Sequence, residues 1–232
     1  MKLVIFDCDG TLVDSQHNIV AAMSQAIGEA GLPAVPRAAI LSMVGLSLPL
    51  AIARLLPEVG PDLHARVTEG YRGAFGILRR DPAHHEPLYD GIAELLDTLS
   101  RRDDVLLGIA TGKSVRGVTA LLERMDLGRH FVTIQTADTN PSKPDPAMLL
   151  AAMTEAGVDA GDTVMIGDTT FDIEMARFAE VAPLGVGWGY HPPADLQEAG
   201  ALSVSRDAGE LGLAIGQRLG FEVGAPPGRE LA

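Results

Sequence analysis

The sequence predicts an α/β fold: a doubly wound parallel sheet interrupted, after its first strand, by a smaller helical domain. Three observations carry that expectation. Short apolar runs without clean alternation end repeatedly in Asp or Thr, helix-period segments follow them, and one long stretch, 15–85, has helical period but no strand. A run apolar on both faces fits a strand buried on both sides of a parallel sheet. Strands alternating with helices imply βαβ units.

The elements follow in order. Residues 3–6 form the first strand and run into Asp7. Ile19, Met23, Ala26, Ile27 and Ala30 make an apolar helical stripe, ended by Gly31 and Pro33. Helical pieces are expected over 38–43, 48–56 and 63–78. Hinges at 14–16 and 84–88, with Pro82 and Pro87 as punctuation, divide a core domain (1–14 and 86–222) from a helical domain (15–85). Ile92, Leu95, Leu96 and Leu99 predict a helix with Asp90 as N-cap, and 105–110 a strand running into Thr111. Val115, Val118, Leu122 and Met125 predict the next helix, and 131–136 the next strand. Leu149, Ala152, Met153 and Ala156 predict another, with Asp145 as cap, Pro146 at the first helical position and Gly157 as stop. Strands over 163–167, running into Asp168, and over 184–188 complete the sheet, and a flexible tail is expected over 223–232.

Composition narrows the partners. With 31 acidic against 18 basic side chains the net charge is −13, which argues against nucleic acid and anionic membrane. A hydrophobic share of 47% argues against disorder, and the one cysteine, Cys8, cannot make an intrachain disulfide. Asp7 and Asp9 end the first apolar run too early for a signal peptide, and no run approaches the ~20 apolar residues of a membrane span. A soluble, cytoplasmic protein is expected; monomer and homodimer are equally compatible with the sequence.

Open α/β sheets bind ligands outside the carboxyl ends of their strands. Asp7, Thr111 and Asp168 occupy three such ends, with Asp9 two residues past Asp7 and Asp172 four past Asp168. Lys143, one of only three lysines, sits in the proline-framed run Asn140-Pro141-Ser142-Lys143-Pro144-Asp145-Pro146. Singly, Asp9-Gly10 or Gly167-Asp168 reads as a turn, and Asp172 as a carboxylate favouring a helix N-terminus. Together, in this order, they read as a site.

These residues carry a resemblance. Asp7-Cys8-Asp9-Gly10-Thr11-Leu12-Val13-Asp14-Ser15 resembles the first motif of the haloacid dehalogenase (HAD) superfamily of phosphohydrolases. Ala110-Thr111-Gly112-Lys113 resembles the second, Lys143-Pro144 the third, and Gly167-Asp168-Thr169-Thr170-Phe171-Asp172 the fourth. The helical stretch matches that family's small α-helical cap, and the core its Rossmann-like sheet. The resemblance implies a Mg²⁺-dependent phosphatase of small phosphomonoesters acting through an aspartyl-phosphate. Asp7 would be the nucleophile, Asp9 the general acid and base, Thr111 and Gly112 phosphate-binding residues, and Lys143 a source of positive charge. Asp7, the Asp9 backbone carbonyl, Asp168 and, as an alternative to its helix-terminal role, Asp172 would hold the metal.

Within the family, Asp9 favours phosphate over halide, because a halide leaving group needs no proton. No lysine lies between Lys2 and Lys113, so the helical domain cannot supply a Schiff base. β-Phosphoglucomutases place a histidine where Ile19 stands, and His17 is out of register. Asp14-Ser15 and Val44-Gly45-Leu46-Ser47-Leu48 are more similar to phosphoglycolate phosphatases and related pyrophosphatases, which makes 2-phosphoglycolate the leading substrate. The alternatives are a phosphosugar mutase, a sugar- or nucleotide-phosphate phosphatase or pyrophosphatase, and a non-catalytic phosphate-binding module. Gly45 is expected over the site, screening the leaving group, with Arg54 or Arg72 facing a substrate carboxylate or merely lying on a helix surface. Cys8 is expected in the core, and His84-His85, Arg79-Arg80 and Arg101-Arg102 in solvent. The Trp188–Pro193 loop is expected either beside the crevice or packed under the Asp168 loop.

Overall fold

A computed structural model describes residues 1–223, so most of the expected tail lies outside the described residues. Six strands form one parallel sheet: β1 (Lys2–Phe6), β2 (Val105–Thr111), β3 (Phe131–Thr136), β4 (Thr163–Gly167), β5 (Ala182–Val186) and β6 (Ser203–Ser205). Their order is β3-β2-β1-β4-β5-β6, the doubly wound, Rossmann-like order, with its switch point between β1 and β4. β1 shows why its sequence is apolar throughout. Val4 and Phe6 face one core cluster and Leu3 and Ile5 the other, all fully buried.

Helices cover both faces. α5 (Ile92–Ser100), α6 (Val115–Met125) and α10 (Ala208–Leu219) pack on the Val4 side, α7 (Ala147–Ala156) and α8 (Thr170–Phe178) on the Leu3 side, and α9 (Pro193–Ala199) lies against α8, β5 and β6. Between β1 and α5 come α1 (Gln16–Glu29), α2 (Arg37–Leu41), α3 (Leu48–Leu55) and α4 (Pro61–Leu78), with a separate cluster that includes Ile19, Met23, Ile27, Ile52 and Val67. The chain leaves and re-enters the sheet layer side by side. Asp14 N–H donates to the Pro87 carbonyl (2.9 Å) and Tyr89 N–H to the Leu12 carbonyl (3.0 Å).

Several local expectations need correcting. The fifth strand runs from Ala182 to Val186 instead of over 184–188: Pro183 precedes its first pair with β6, and Trp188 turns away to bond the Thr11 carbonyl. The short polar strand β6, Ser-Val-Ser, has no apolar run to announce it. Asp90 does not cap α5; Gly91 holds that position with φ +79°, a left-handed conformation suited to glycine. α7 begins one residue late, at Ala147, although the Asp145 carboxylate still accepts its first N–H (2.9 Å). Val115 is exposed, and the buried stripe of α6 is Val118, Leu121 and Leu122.

Candidate active site

The floor of the site lies at the carboxyl ends of β1, β2 and β4. Asp7 N–H donates to the Ile166 carbonyl (2.9 Å), so the ladder carries it one residue past β1. Asp168 follows β4 directly and is held from two sides: Thr11 Oγ1 donates to Oδ1 (2.9 Å), and the Tyr190 N–H to Oδ2 (2.8 Å). Both contacts need glycine. A Cβ at Gly10, whose φ is +83°, would lie 2.1 Å from Asp168 Oδ2, and one at Gly189 would lie 2.2 Å from Asp168 Cβ.

Lys143 is fully buried, with Nζ 2.6 Å from Asp172 Oδ1 and 2.8 Å from Asp7 Oδ1. Asp172 is the third residue of α8 and forms a capping box with Thr169, whose N–H and hydroxyl donate to Oδ2 (3.1 and 2.7 Å). The helix-terminal reading of Asp172 is therefore realised, and both of its oxygens carry a bond. Asp7 differs: Oδ1 has only the lysine's charge, and Oδ2 has no hydrogen-bond partner.

Asp7, Asp168 and Asp172 can each bring one oxygen within 4.8 Å of the others, all buried. Burial raises the Asp7 pKa to about 6; Lys143 opposes that rise, and Asp172 and Asp9 add to it. Burial, then Asp172 and Asp7, push Asp168 well above the carboxylate range. Burial alone would lower Lys143, but Asp172 and Asp7 overcome it and hold the ammonium charged. Three buried carboxylates thus lie together, two of them, Asp7 and Asp172, sharing the one ammonium, and Asp7 Oδ2 is free. Oxygen-only donors of that charge suit a hard divalent cation.

Asp9 stands apart from this cluster. Its Oδ1 accepts a short hydrogen bond from the Ser15 hydroxyl and lies 2.7 Å from Lys113 Nζ. Lys113 also approaches buried Glu86 (3.9 Å), which Arg124 approaches in turn (3.7 Å). Burial raises the Glu86 pKa against the pull of Lys113; burial would lower Lys113, but Asp9 and Glu86 raise it. Ser15 N–H donates to Tyr190 Oη (3.1 Å), tying the start of α1 to the loop that holds Asp168. Sequence reasoning gave no role to Lys113, Ser15, Tyr190 or Glu86. The first two stand inside quoted motifs; Glu86 lies in a hinge with no periodic signal.

Thr111 is buried and, with Gly112, Asp7 and Asp9, lines a cavity of about 830 Å³ under α1–α4. Gly45, at φ +98°, lies over it as expected, and a Cβ on Gly112 would stand 2.7 Å from the Gly45 carbonyl oxygen. Ser47 N–H donates to Ser142 Oγ (2.7 Å), fastening the roof to the loop of Lys143.

The remaining candidates separate cleanly. Cys8 is buried, its thiol pKa pushed up by burial and by Asp7. His84 and His85 are exposed, as is Arg101. The Trp188 loop takes the packing alternative: Trp188 Nε1 donates to the Thr11 carbonyl (3.1 Å), and Thr170 N–H to His191 Nδ1 (3.2 Å). Arg54 does not line the cavity and sits over the Phe171 ring, 5.6 Å from its centroid. Arg72 does line it, and so do Arg80, exposed as expected, and Arg79, which is half-buried against expectation. The end of α4 on which they lie turns toward the crevice instead of away from it.

Residues 4–186 match the family of haloacid dehalogenase-like hydrolases, and the chain belongs to that family. It is an enzyme of the phosphatase class, and its relatives carry corresponding names. It is 38% identical over 201 residues to "Probable phosphatase IndB" of Dickeya dadantii, covering 85% of this chain and 86% of that protein. It is 34% identical over 236 residues to a phosphoglycolate phosphatase of Rhodospirillum rubrum, covering 97% and 96%. The crystal structure of a hydrolase from Pseudomonas syringae superimposes with a TM-score of 0.80 at 30% identity, covering 91% of this chain and 96% of that one. Among the described residues no helix is long and apolar enough to cross a membrane.

Proposed function

We propose that the chain is a Mg²⁺-dependent phosphomonoester hydrolase that works through an aspartyl-phosphate on Asp7, with 2-phosphoglycolate the leading substrate. The observation that carries this reading is the unpartnered oxygen of Asp7, buried beside Asp168, Asp172 and Lys143 on a residue that lines the cavity. Asp7 and Asp168, with Asp172 alongside and the Asp9 carbonyl as a further donor, would hold the cation. Bound there, the cation supplies charge neutralisation between a carboxylate nucleophile and a dianionic phosphate.

The chain's own residues do the rest. Asp7 Oδ2 forms a bond to phosphorus as the bond from phosphorus to the leaving oxygen breaks, and Asp9 gives that oxygen its proton. Asp9 then takes a proton from water as the water oxygen bonds to phosphorus. The acyl-phosphate bond breaks, releasing phosphate and free Asp7. Lys143, charged on both sides of the cycle, balances charge at Asp7, and Thr111 and Gly112 hold the phosphoryl oxygens. Lys113 and Ser15 fix the Asp9 carboxylate toward the cavity. The helical domain over 15–85 acts as a cap, closing for the first step and opening at the hydrogen-bonded segments near Asp14 and Pro87 for the second.

Release of inorganic phosphate from an aryl phosphate, with and without Mg²⁺, tests the reading. Turnover that ignores the metal and survives Asp7→Asn sinks it. Phosphate binding without turnover of any ester favours a binding module. A panel with phosphoglycolate, hexose phosphates and nucleotides then ranks the substrates.

A further inference from the structure

The cavity is lined by two kinds of wall. Asp7, Asp9 and Thr111 form its floor, and the cap contributes apolar side chains such as Ile40, Met43 and Phe75. At its rim stand Arg79 and Arg80, at the end of α4, and Arg116, in the first turn of α6. Arg79 bridges the two elements by donating to the Arg116 carbonyl (3.5 Å).

Three physical features set these arginines apart. In a chain with 31 acidic residues, none of the three has a carboxylate within 4.0 Å among the described residues; Arg37, Arg54, Arg66, Arg177 and Arg218 share that lack but none of them lines the cavity, and Arg72, which does line it, pairs with Glu69. Arg116 lies where helix electrostatics disfavour a cation, at the positive end of α6, so nothing local to the helix accounts for it. The volume of about 830 Å³ also far exceeds what a phosphoryl group and a two-carbon acid need.

From this juxtaposition we infer that the substrate carries a second anionic group. Arg79, Arg80 and Arg116 bind it at the rim while the phosphate sits on the floor and an apolar linker spans the wall between. The substrate class is a phosphomonoester of an acidic alcohol, and within it the rim favours members longer than glycolate over 2-phosphoglycolate itself. The inference rests on the phosphatase reading for the floor and adds a specificity site on the cavity wall. Asp138 lines the same cavity, but its Oδ2 accepts the Val115 N–H (2.7 Å) at the start of α6, which leaves the three arginines as the cations offered to a distal acid.

The test uses matched esters: phosphates of ω-hydroxy acids with one to five methylenes, and alkyl phosphates of equal length, assayed with Mg²⁺. The expected result is a preference of at least about tenfold in kcat/KM for the acid over its alkyl match, with the best chain longer than glycolate. Arg79→Gln and Arg116→Gln should raise KM for the acid severalfold more than they lower kcat, and collapse the preference toward one. Arg79→Lys should restore part of it, and Arg101→Gln, remote and paired with Asp97, should leave it intact. Calorimetric binding of the corresponding carboxyalkyl and alkyl phosphonates reads the same preference without turnover. No preference in the unaltered enzyme, or an equal loss for acid and alkyl esters in the arginine variants, overturns the inference while aryl phosphate turnover leaves the phosphatase reading standing. A phosphonate preference without any turnover does the reverse.

Discussion

The floor and the roof of the cavity are built on opposite principles. On the floor, four chain segments converge on the fully buried carboxylates of Asp7, Asp168 and Asp172, and both oxygens of Asp168 and of Asp172 have fixed partners while those of Asp7 do not. On the roof, short helices share a small apolar cluster, and among the described residues Arg79 and Arg80 face the crevice with no carboxylate within 4.0 Å, while Arg72 pairs with Glu69. A floor of that kind is pre-organised and costs stability through uncompensated charge, which the Asp7 and Asp168 shifts express. A roof of that kind can exchange side chains without disturbing the sheet. The chemistry is therefore expected to be sensitive to single atoms on the floor, and selectivity to be graded along the roof.

The largest effect should come from Asp7→Asn, with phosphate release falling by at least about 10⁴-fold. The same change removes a buried, partly repelled charge, so the metal-free variant should melt above the unaltered protein. A lower melting temperature would show that Asp7 is chiefly structural and break the contrast.

Lys143→Met should abolish turnover and also destabilise, by about 3–5 kcal/mol, because it strands two buried carboxylates. Chemical denaturation reads this directly, and a loss under 1 kcal/mol would mean that water reaches the floor.

The pH dependence sharpens the same point. Asp7 and Asp168 have folded pKa values above the ordinary carboxylate value, so the folded chain holds protons that the unfolded chain releases. Their contribution to stability is then present in acid and lost as pH rises through about 6, the folded value of Asp7. Mg²⁺ should accordingly raise the melting temperature more at pH 7.5 than at pH 5. An equal gain at both would place the cation elsewhere.

The smallest effect belongs to the seam between the two regions. Tyr190→Phe removes the hydroxyl that meets Ser15 N–H and Oγ, and should cost about 1 kcal/mol of stability and severalfold in kcat. Ile52→Ala in the roof cluster makes a useful counterpart, since it should cost 2–4 kcal/mol while leaving metal-dependent stabilisation intact.

Much of the floor was legible in the sequence. Asp7, Thr111 and Asp168 each end an apolar run, and a strand buried on both faces must deliver the residue after it to the sheet's carboxyl edge. The expected helices over 38–43, 48–56 and 63–78 appear within a few residues of their bounds. Glu86, Tyr190 and the two duties of Asp172 were not legible. Their partners lie 27, 175 and 29 residues away, at Lys113, Ser15 and Lys143, and no local period encodes such distances. Arg79 and Arg80 read as a solvated helix end because Arg at a C-terminus is what helix electrostatics favour by itself.

The sequence alone determined the alternation of strands and helices, the order of the four motifs and the residues that end the strands. These depend on local hydrophobic period and on the few residue types that stop it. Only the tertiary structure decided which charges face one another. It set Lys143 between Asp7 and Asp172, Lys113 against Asp9, and around one cavity three arginines with no carboxylate within 4.0 Å among the described residues. Electrostatic pairing acts through space, over a few ångströms and across chain separations that no sequence window spans.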